Sequence, residues 1–267
     1  MSFEKYLKYK NKYLNLKKSI SMLNLKGGAI VDKKSKGSKK VSKKNSKNLS
    51  KKGIFVIGIA GASGCGKTYL AGSIKKSLIA DGFKGVEIIS CDNYNKSSSD
   101  GKPRPPSMWD EPTSVDLDLL AKDINKLKNK QKINIPKYNF KTSQRDGIEK
   151  ELDGSNLEVI IVEGLFVLYD ESVRDMLDLK IFTLLDADIC LARRIKRDMA
   201  ERGSTHESVV EHYQKYVKPS YVKYVEPSHK FADIVISTSE YTNTIRTIDI
   251  IKTYIKQNLN PYECKRL

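Results

Sequence analysis

Short apolar runs rich in β-branched residues alternate along the chain with longer segments whose apolar residues recur at helical spacing. The short runs predict five buried strands, at 54–60, 86–91, 157–162, 180–185 and 232–236. The helical spacing predicts helices at 68–79, 115–127, 187–201, 207–217 and 244–259. Near-continuous apolar strands separated by helices are typical of a parallel sheet covered on both faces. We therefore predict an α/β fold, a three-layer sandwich around a mostly parallel five-stranded sheet.

One segment between the second and third predicted strands interrupts this alternation. Its two arms, at 132–140 and 148–152, predict an inserted β-hairpin or flap. Ligands of open α/β sheets bind beyond the carboxyl ends of the strands. The candidate residues for chemistry are therefore those that follow the strands.

The turn after the first predicted strand is rich in glycine and ends in a lysine and a threonine. It consists of Gly61, Ala62, Ser63, Gly64, Cys65, Gly66, Lys67 and Thr68. Glycines let successive backbone N–H groups converge on an anion, the lysine reaches the β- and γ-phosphates, and the threonine hydroxyl binds Mg²⁺. The strand before this turn and the helix after it favour a phosphate-binding loop, and hence nucleotide binding, over a glycine-rich surface turn.

Two carboxylates end neighbouring predicted strands. Asp92 follows the second strand and is the candidate general base for a substrate hydroxyl near the γ-phosphate. Glu163 closes the third strand and, with Asp92 and Thr68, is a candidate to hold Mg²⁺, directly or through water. The alternatives are a strand-end cap for Asp92 and a structural ion pair for Glu163.

A basic helix is predicted late in the chain. Arg194, Arg197 and Arg202 share one of its faces at 100° per residue. Arginines that close over a transferred phosphoryl group stabilise its charge and exclude water, so we interpret this helix as a lid. The alternative is a solvated basic helix stabilised by Asp198 and Glu201.

The charge of the chain is concentrated near its beginning. The 267 residues carry a net charge of +17, of which residues 1–52 hold +15, so that residues 53–267 carry only +2. We predict a basic amphipathic helix over 1–26, a flexible Lys/Ser/Gly linker over 27–52 and one α/β domain over 53–267. The arm is expected to be a solvated tether or to contact an anionic surface, and the domain is not expected to bind nucleic acid specifically.

The cysteine and hydropathy patterns favour a reducing compartment. The four cysteines lie far apart and histidines number only three, so neither a disulfide framework nor a zinc site is indicated. No apolar run approaches the 18 residues or so of a membrane span, and no signal peptide is evident. We expect a cytoplasmic protein.

The order and spacing of these motifs resemble the uridine/cytidine kinase family across residues 53–259. The resemblance is carried by Gly61 to Thr68, Asp92, Trp109-Asp110-x-Pro112, residues 135–140, Glu163-Gly164, Val173-Arg174-Asp175, residues 192–203, Tyr213-x-x-x-Val217-x-Pro219 and Ala232-Asp233. It implies a P-loop nucleoside kinase that phosphorylates uridine or cytidine at the ribose 5′-hydroxyl, yielding UMP or CMP in pyrimidine salvage. It also implies ATP, or GTP, as donor with Mg²⁺, and a homotetramer.

The resemblance assigns roles to individual residues. Asp92 would deprotonate the 5′-hydroxyl, and Lys67, Arg197 and Arg202 would neutralise the phosphates. The remaining residues would bind the nucleoside: Asp110 and Arg194 at the ribose hydroxyls, Tyr138 and Phe140 beside the pyrimidine.

Four positions depart from the family pattern. Asn95 stands where a tyrosine is usual, Ser143 where the hairpin usually supplies a histidine, and Ser204 and His212 where an arginine and a glutamine are usual. Three of these four positions would contact the base. A site lacking the hydrogen-bonding groups for one base loses discrimination for it, so we predict a relaxed or shifted base preference.

Two other functions remain open. The same fold could phosphorylate another nucleoside or small alcohol, as in phosphoribulokinases, pantothenate kinases and nicotinamide riboside kinases, or serve as a non-catalytic nucleotide-binding module. A GTPase is disfavoured because no Asn-Lys-x-Asp motif follows the strands. Residues 5–14 also resemble a leader found on proteins of giant DNA viruses, which would imply the host cytoplasm.

Overall fold

A five-stranded parallel sheet organises the part of the chain that the computed structural model describes, which is residues 53–98, 105–239 and 241–259. Its strands lie in the order β2-β5-β1-β6-β7, and every adjacent pair is parallel. A separate two-stranded antiparallel hairpin is formed by β3 and β4. The strands are β1 (Phe55–Gly61), β2 (Val86–Ser90), β3 (Lys132–Asn139), β4 (Gln144–Asp153), β5 (Val159–Glu163), β6 (Leu179–Leu184) and β7 (Ile234–Ser237).

Six labelled helices accompany the strands within the described ranges. They are α1 (Lys67–Ala80), α2 (Leu117–Lys128), α3 (Glu171–Arg174), α4 (Ala187–Arg202), α5 (His206–His212) and α6 (Tyr241–Leu259). Side-chain caps fix where two of these helices begin. The Asp116 side chain accepts the Leu119 N–H at the beginning of α2, and Thr205 forms a reciprocal capping box with Ser208 at the beginning of α5. The α/β architecture predicted from the sequence is confirmed.

Alternate residues of β1 enter two different cores. Val56 and Ala60 belong to the core that contains Leu120 and Ile124 of α2. Their neighbours Phe55, Ile57 and Ile59 belong to the core formed with Leu70, Ile74 and Leu78 of α1 and with Ile248, Ile251 and Ile255 of α6. Because alternate residues of β1 point to opposite faces, these two cores cover both faces of the sheet. Each fully buried aliphatic side chain in them contributes about 1.5–3 kcal/mol of transfer free energy. This is the predicted three-layer sandwich.

The hairpin is anchored at its base and reaches the carboxyl ends of the strands with its tip. Ile133, Ile135 and Leu152 at the base are buried in the α2 core. Lys150 of β4 also pairs with Glu87 of β2 at 2.5 Å. The predicted inserted hairpin is therefore present, and it is fixed to the sheet at one end.

The segment after α5 differs from the single helix predicted over 207–217. The α-helix ends at His212 and continues as π-helical Tyr213–Val217, one α-helical turn at Lys218–Ser220, π-helical Tyr221–Val225 and 3₁₀-helical Glu226–Phe231. Prolines stand at 219 and 227 and lack the N–H that an α-helical ladder needs. This is a physical reason for the irregular bonding.

The chain divides into two units, Met1–Leu49 and Ser50–Leu267, and the described residues all belong to the second. The predicted arm helix over 1–26, the linker over 27–52 and the leader-like residues 5–14 lie outside the described residues. None of the helices in the described ranges combines the length and apolar character that a membrane crossing requires.

Candidate active site

The glycine-rich loop joins β1 to α1 and has a conformation that only glycine adopts easily. Gly64 has φ +83°, and a Cβ there would lie 2.3 Å from the Cys190 carbonyl oxygen. Gly66 has φ +96° and precedes the first turn of α1. The loop therefore passes close under the beginning of α4 and presents the start of α1 to the cleft.

The side chains that end the loop contact oxygen atoms. Lys67 Nζ donates to the Ala62 carbonyl at 2.8 Å and to the Gly61 carbonyl at 3.2 Å. The Thr68 hydroxyl donates to Glu163 Oε1 at 3.3 Å. Cys65 differs from its neighbours, because its buried Sγ lies 2.8 Å from Thr183 Oγ1 on β6 and does not face the cleft.

Asp92 and Glu163 lie at the carboxyl ends of adjacent strands but have different environments. Asp92 lies on a 3₁₀ turn, Cys91–Tyr94, directly after β2 and is exposed. Glu163 is 5% exposed, and its Oε1 also accepts the Ser90 hydroxyl at 2.9 Å. Burial, and then the charge of Asp92, raises the pKa of Glu163, against the opposing effects of Lys67 and the two hydroxyls. An exposed carboxylate thus lies beside a buried one.

The oxygen atoms of Thr68 and Glu163 fit Mg²⁺ in character. This ion prefers oxygen ligands and is usually held by one or two carboxylates together with substrate phosphates. Within the described residues, no group of three or more His, Cys, Asp or Glu side chains could hold a metal ion by themselves. The donor set fits an ion that arrives with a nucleotide.

Three arginines of α4 converge on one buried carboxylate. Asp198, 4% exposed, pairs with Arg194 at 3.3 Å, Arg197 at 2.8 Å and Arg202 at 3.4 Å. Arg194 also donates to the Ser63 hydroxyl of the glycine-rich loop at 3.0 Å. Asp198, which the sequence suggested only as a surface partner, therefore organises the arginine face of the predicted lid.

Asp110 is buried among groups from distant elements. Its Oδ2 lies 2.9 Å from His212 Nε2 and its Oδ1 lies 3.7 Å from Arg194 Nη1. The Ser220 hydroxyl donates to its backbone oxygen. Burial alone would raise the pKa of Asp110, but the His212 hydrogen bond and the charge of Arg194 outweigh it and lower that pKa. Asp110 is thus held as a carboxylate.

His212 is positioned through Asp110. Its ring lies 5.2 Å from the ring of Trp109 and 5.2 Å from that of Tyr216, between centroids. It is not among the residues that line the cleft, whereas Trp109 and Asp110 are. The predicted contact between His212 and a base remains a prediction; the contact present is with Asp110.

The hairpin and the lid meet over the cleft. Tyr138 and Phe140 pack edge to face, with ring centroids 5.1 Å apart. The guanidinium of Arg202 lies 4.2 Å from the centre of the Phe140 ring. The aromatic tip of the hairpin and the end of α4 therefore form one wall.

A cavity of about 910 Å³ unites these elements. Most of the predicted site residues line it: Ser63, Gly64, Gly66, Lys67, Thr68, Asp92, Asp110, Tyr138, Phe140, Ser143, Glu163, Arg194, Arg197, Arg202 and Ser204. The exceptions are His212, the buried Cys65, and Gly61 and Ala62, whose carbonyls contact Lys67. Sequence reasoning did not single out Ser220 or Arg145, because their partners are remote in the chain. It named Asp198 only as a surface partner of the basic helix.

Comparison with known proteins assigns the family. Residues 56–245 match the phosphoribulokinase / uridine kinase family. Uridine-cytidine kinase A of Dictyostelium discoideum is 39% identical over 210 residues, which are 78% of this chain and 40% of that longer relative. A uridine kinase of Pasteurella multocida is 38% identical over 215 residues, covering 79% of this chain and 98% of that relative. The chain belongs to the phosphoribulokinase / uridine kinase family, which confirms the resemblance drawn from its motifs.

A solved structure independently supports the fold. The structure of a possible uridine kinase from Bacillus stearothermophilus is 18% identical and aligns with a TM-score of 0.52, over 70% of this chain and 90% of that one. At this identity the likeness bears on the architecture alone, which is the α/β P-loop fold.

Proposed function

We propose that the protein transfers the γ-phosphoryl group of ATP to the ribose 5′-hydroxyl of uridine or cytidine, yielding UMP or CMP in pyrimidine salvage. One observation carries the proposal. The glycine-rich loop, the exposed Asp92 carboxylate and the arginines of α4 all line one cavity. A phosphate-binding loop alone implies only a bound nucleotide, whereas a base and a cluster of arginines beside it imply transfer to an acceptor.

In the proposed mechanism Asp92 accepts the proton of the 5′-hydroxyl as that oxygen forms a bond to the γ-phosphorus. The bond between the γ-phosphorus and the bridging oxygen breaks, and ADP leaves. Lys67, Arg197 and Arg202 would neutralise the charge on the transferred oxygens. This is supported by their shared cavity and by the exposure of Asp92, since a general base must reach its proton.

Thr68 and Glu163 would hold Mg²⁺, with Asp92 nearby in the same cavity. An ion held there would supply positive charge that stabilises the transferring phosphates. The protein's own contribution is the orientation of these oxygens, which Ser90 supports through its hydrogen bond to Glu163.

The nucleoside would lie between the hairpin and Asp110. Asp110 and Arg194, 3.7 Å apart, would bind the ribose hydroxyls, and the exposed Phe140 with Tyr138 would flank the base. Ser143 and Ser204, which also line the cavity, offer a base only short hydroxyl side chains. We therefore propose weak discrimination among bases.

The test measures ADP release with ATP or GTP as donor against uridine, cytidine, purine nucleosides and small alcohols such as glycerate and pantothenate. We expect 5′-monophosphate formation from pyrimidine nucleosides, with purine nucleosides used measurably. Asp92→Asn should lose about 10²–10⁴-fold in kcat, whereas Asp118→Asn, an exposed acidic residue of α2, should not.

Each failure in this assay has a distinct meaning. Turnover of an unrelated alcohol would replace the acceptor, and the absence of any acceptor-dependent ADP release would favour a nucleotide-binding module. Ordinary efficiency with uridine and rejection of all other nucleosides would contradict the proposed weak base discrimination.

Two further proposals rest on sequence alone. A homotetramer is implied by the family resemblance, and light scattering coupled to size exclusion tests it. Contact of the arm with an anionic surface is supported by the +15 charge of residues 1–52.

A further inference from the structure

Arg145 binds the turn that carries Asp92. It lies on β4, and its guanidinium donates from Nε to the Asn95 carbonyl and from Nη2 to the Tyr94 carbonyl, both at 2.8 Å. The side chain is 23% exposed and also pairs with Asp116 at 3.4 Å. Two adjacent backbone carbonyls thus accept two N–H groups of one planar group.

Those carbonyls are coupled to Asp92 through Asn95. The Asn95 side-chain amide donates to the Asp92 carbonyl oxygen at 2.8 Å, and its backbone N–H donates to the same oxygen at 3.3 Å. Asn95 itself is 9% exposed. Movement of Asn95 would therefore be transmitted to the backbone of the residue that carries the exposed carboxylate.

Further hydrogen bonds join the hairpin to the chain after this turn. The Arg145 N–H donates to the Ser97 hydroxyl at 3.0 Å, and Gln144 donates to the Ser98 hydroxyl at 2.6 Å. The Ser98 N–H donates to the Ser143 carbonyl at 3.2 Å. Among these contacts only those of the Arg145 guanidinium reach the Asp92 turn itself, which we define as Cys91–Asn95.

We infer that Arg145 is a positioning residue for phosphoryl transfer: it fixes the Asp92 turn to the hairpin that carries Tyr138 and Phe140. The inference rests on the proposed function and deepens it. Arg145 thereby fixes the position of the general base Asp92 relative to a substrate that binds against the hairpin. Arginine suits this role because its rigid fork can satisfy two neighbouring carbonyls, whereas lysine offers a single point charge.

The first test compares Arg145→Lys and Arg145→Met with Arg174→Lys in the full-length protein. Arg174 is a matched control, because it also donates to two successive carbonyls, of Leu168 and Tyr169, at 3.2 and 3.1 Å, but does not line the cavity. We expect kcat to fall about tenfold in Arg145→Lys and about 100-fold in Arg145→Met, with a smaller change in KM. Arg174→Lys should stay within about twofold of wild type.

The second test is a double-mutant cycle with Asp92→Asn, read as single-turnover ADP formation. If Arg145 acts through Asp92, Arg145→Lys should reduce the rate of Asp92→Asn no further, although it lowers the rate of the otherwise wild-type protein about tenfold. The Tm of every variant is also measured, because unfolding would lower activity as well. A loss of activity by unfolding would reduce the rate by the same factor with and without Asp92→Asn.

The outcomes separate this inference from the proposed function. An unchanged kcat in Arg145→Lys, or a loss that multiplies with that of Asp92→Asn, overturns the positioning role while leaving the kinase intact. A wild type that turns over no acceptor overturns both. A further outcome is a wild type that phosphorylates a different alcohol. If Arg145→Lys then lowers kcat, but lowers it no further in Asp92→Asn, the positioning role is upheld and only the substrate is corrected.

Discussion

Asp110 shows how a residue placed by the sequence acquires partners that the sequence does not reveal. Its motif position made it a candidate for ribose binding, but it contacts His212 and Arg194, which lie 102 and 84 positions further along the chain. The predicted contact of His212 with the base remains a prediction, and the contact present is with Asp110. A one-dimensional pattern identifies residue types and spacing, whereas this contact depends on where the end of α5 lies in the assembled fold.

The free energy of unfolding should depend on pH through the ionisation of the Asp110 carboxylate. Its folded pKa is lowered from the ordinary 3.8, so its stabilisation is full above that value and is lost as the pH falls through 3.8 and the lower folded pKa. Asp110→Asn should lower the free energy of unfolding at pH 7 by about 2–3 kcal/mol. Urea unfolding from pH 7 to pH 3 should show this deficit shrinking in acid.

The matched control is Glu149→Gln, which removes an exposed carboxylate of β4 and should leave the curve unchanged. His212→Gln, which keeps a hydrogen-bond donor, should lose less than Asp110→Asn. An equal loss at pH 7 and pH 3 would contradict the electrostatic explanation.

Glu163 should behave in the opposite way. Burial and the charge of Asp92 raise its folded pKa above 4.5, so its ionised form costs stability as the pH rises above that value. Glu163→Gln removes this cost and keeps an oxygen that can accept from Ser90. We expect the free energy of unfolding without Mg²⁺ to rise by about 1 kcal/mol at pH 8 and by less at pH 4, while kcat falls.

Denaturant unfolding at the two pH values measures this effect, with Glu149→Gln on the exposed hairpin as the control. A Glu163→Gln protein less stable than wild type at pH 8 would show that the carboxylate is a net structural contributor. That result would also contradict the stability cost assigned to its ionised form.

At the scale of elements, α4 depends on one carboxylate that its own arginines surround. Asp198 is 4% exposed and pairs with Arg194, Arg197 and Arg202. Asp198→Asn should leave their charges uncompensated, lowering the free energy of unfolding by about 3 kcal/mol and kcat/KM by about 10–100-fold, because the arginines would no longer share one orientation. Steady-state kinetics and thermal unfolding measure the two effects.

Glu201→Gln provides the comparison, since Glu201 is an exposed residue of the same helix and should change neither quantity appreciably. Full activity in a destabilised Asp198→Asn protein would assign Asp198 to folding alone. Full stability with lost activity would assign it to the orientation of the arginines.

The elements themselves were predictable to within a few residues where one period dominates. The continuous apolar run at 54–60 and the helical spacing at 187–201 correspond to β1 and α4. The prediction differed at 207–217, where π-helical bonding replaces the α-helix after His212. Hydrophobic periodicity does not distinguish α-helical from π-helical hydrogen bonding when the side-chain pattern is similar.

At the scale of the whole molecule, the strand order could not be derived from the periodic pattern. β2 lies at one edge and pairs with β5, while β1 lies in the centre between β5 and β6. The cleft depends on this order, because adjacent β2 and β5 bring Asp92 beside Glu163. The motifs predicted both carboxylates, but their proximity is a property of the assembled sheet.

Charge at this scale is divided unevenly along the chain. Residues 53–267 carry a net charge of +2 and contain every residue that lines the cavity, whereas residues 1–52 carry +15. Removing residues 1–52 should therefore leave kcat and KM within about twofold of the full chain, because no residue that lines the cavity belongs to that segment. The same deletion should abolish any salt-sensitive binding to vesicles rich in anionic lipid, measured by co-sedimentation at low and high salt. Replacing all 17 lysines of the segment by glutamine is the control that keeps its length. A large loss of kcat on deletion that the glutamine variant does not reproduce would show that the segment supports the catalytic unit by packing, and would contradict the division at residue 52.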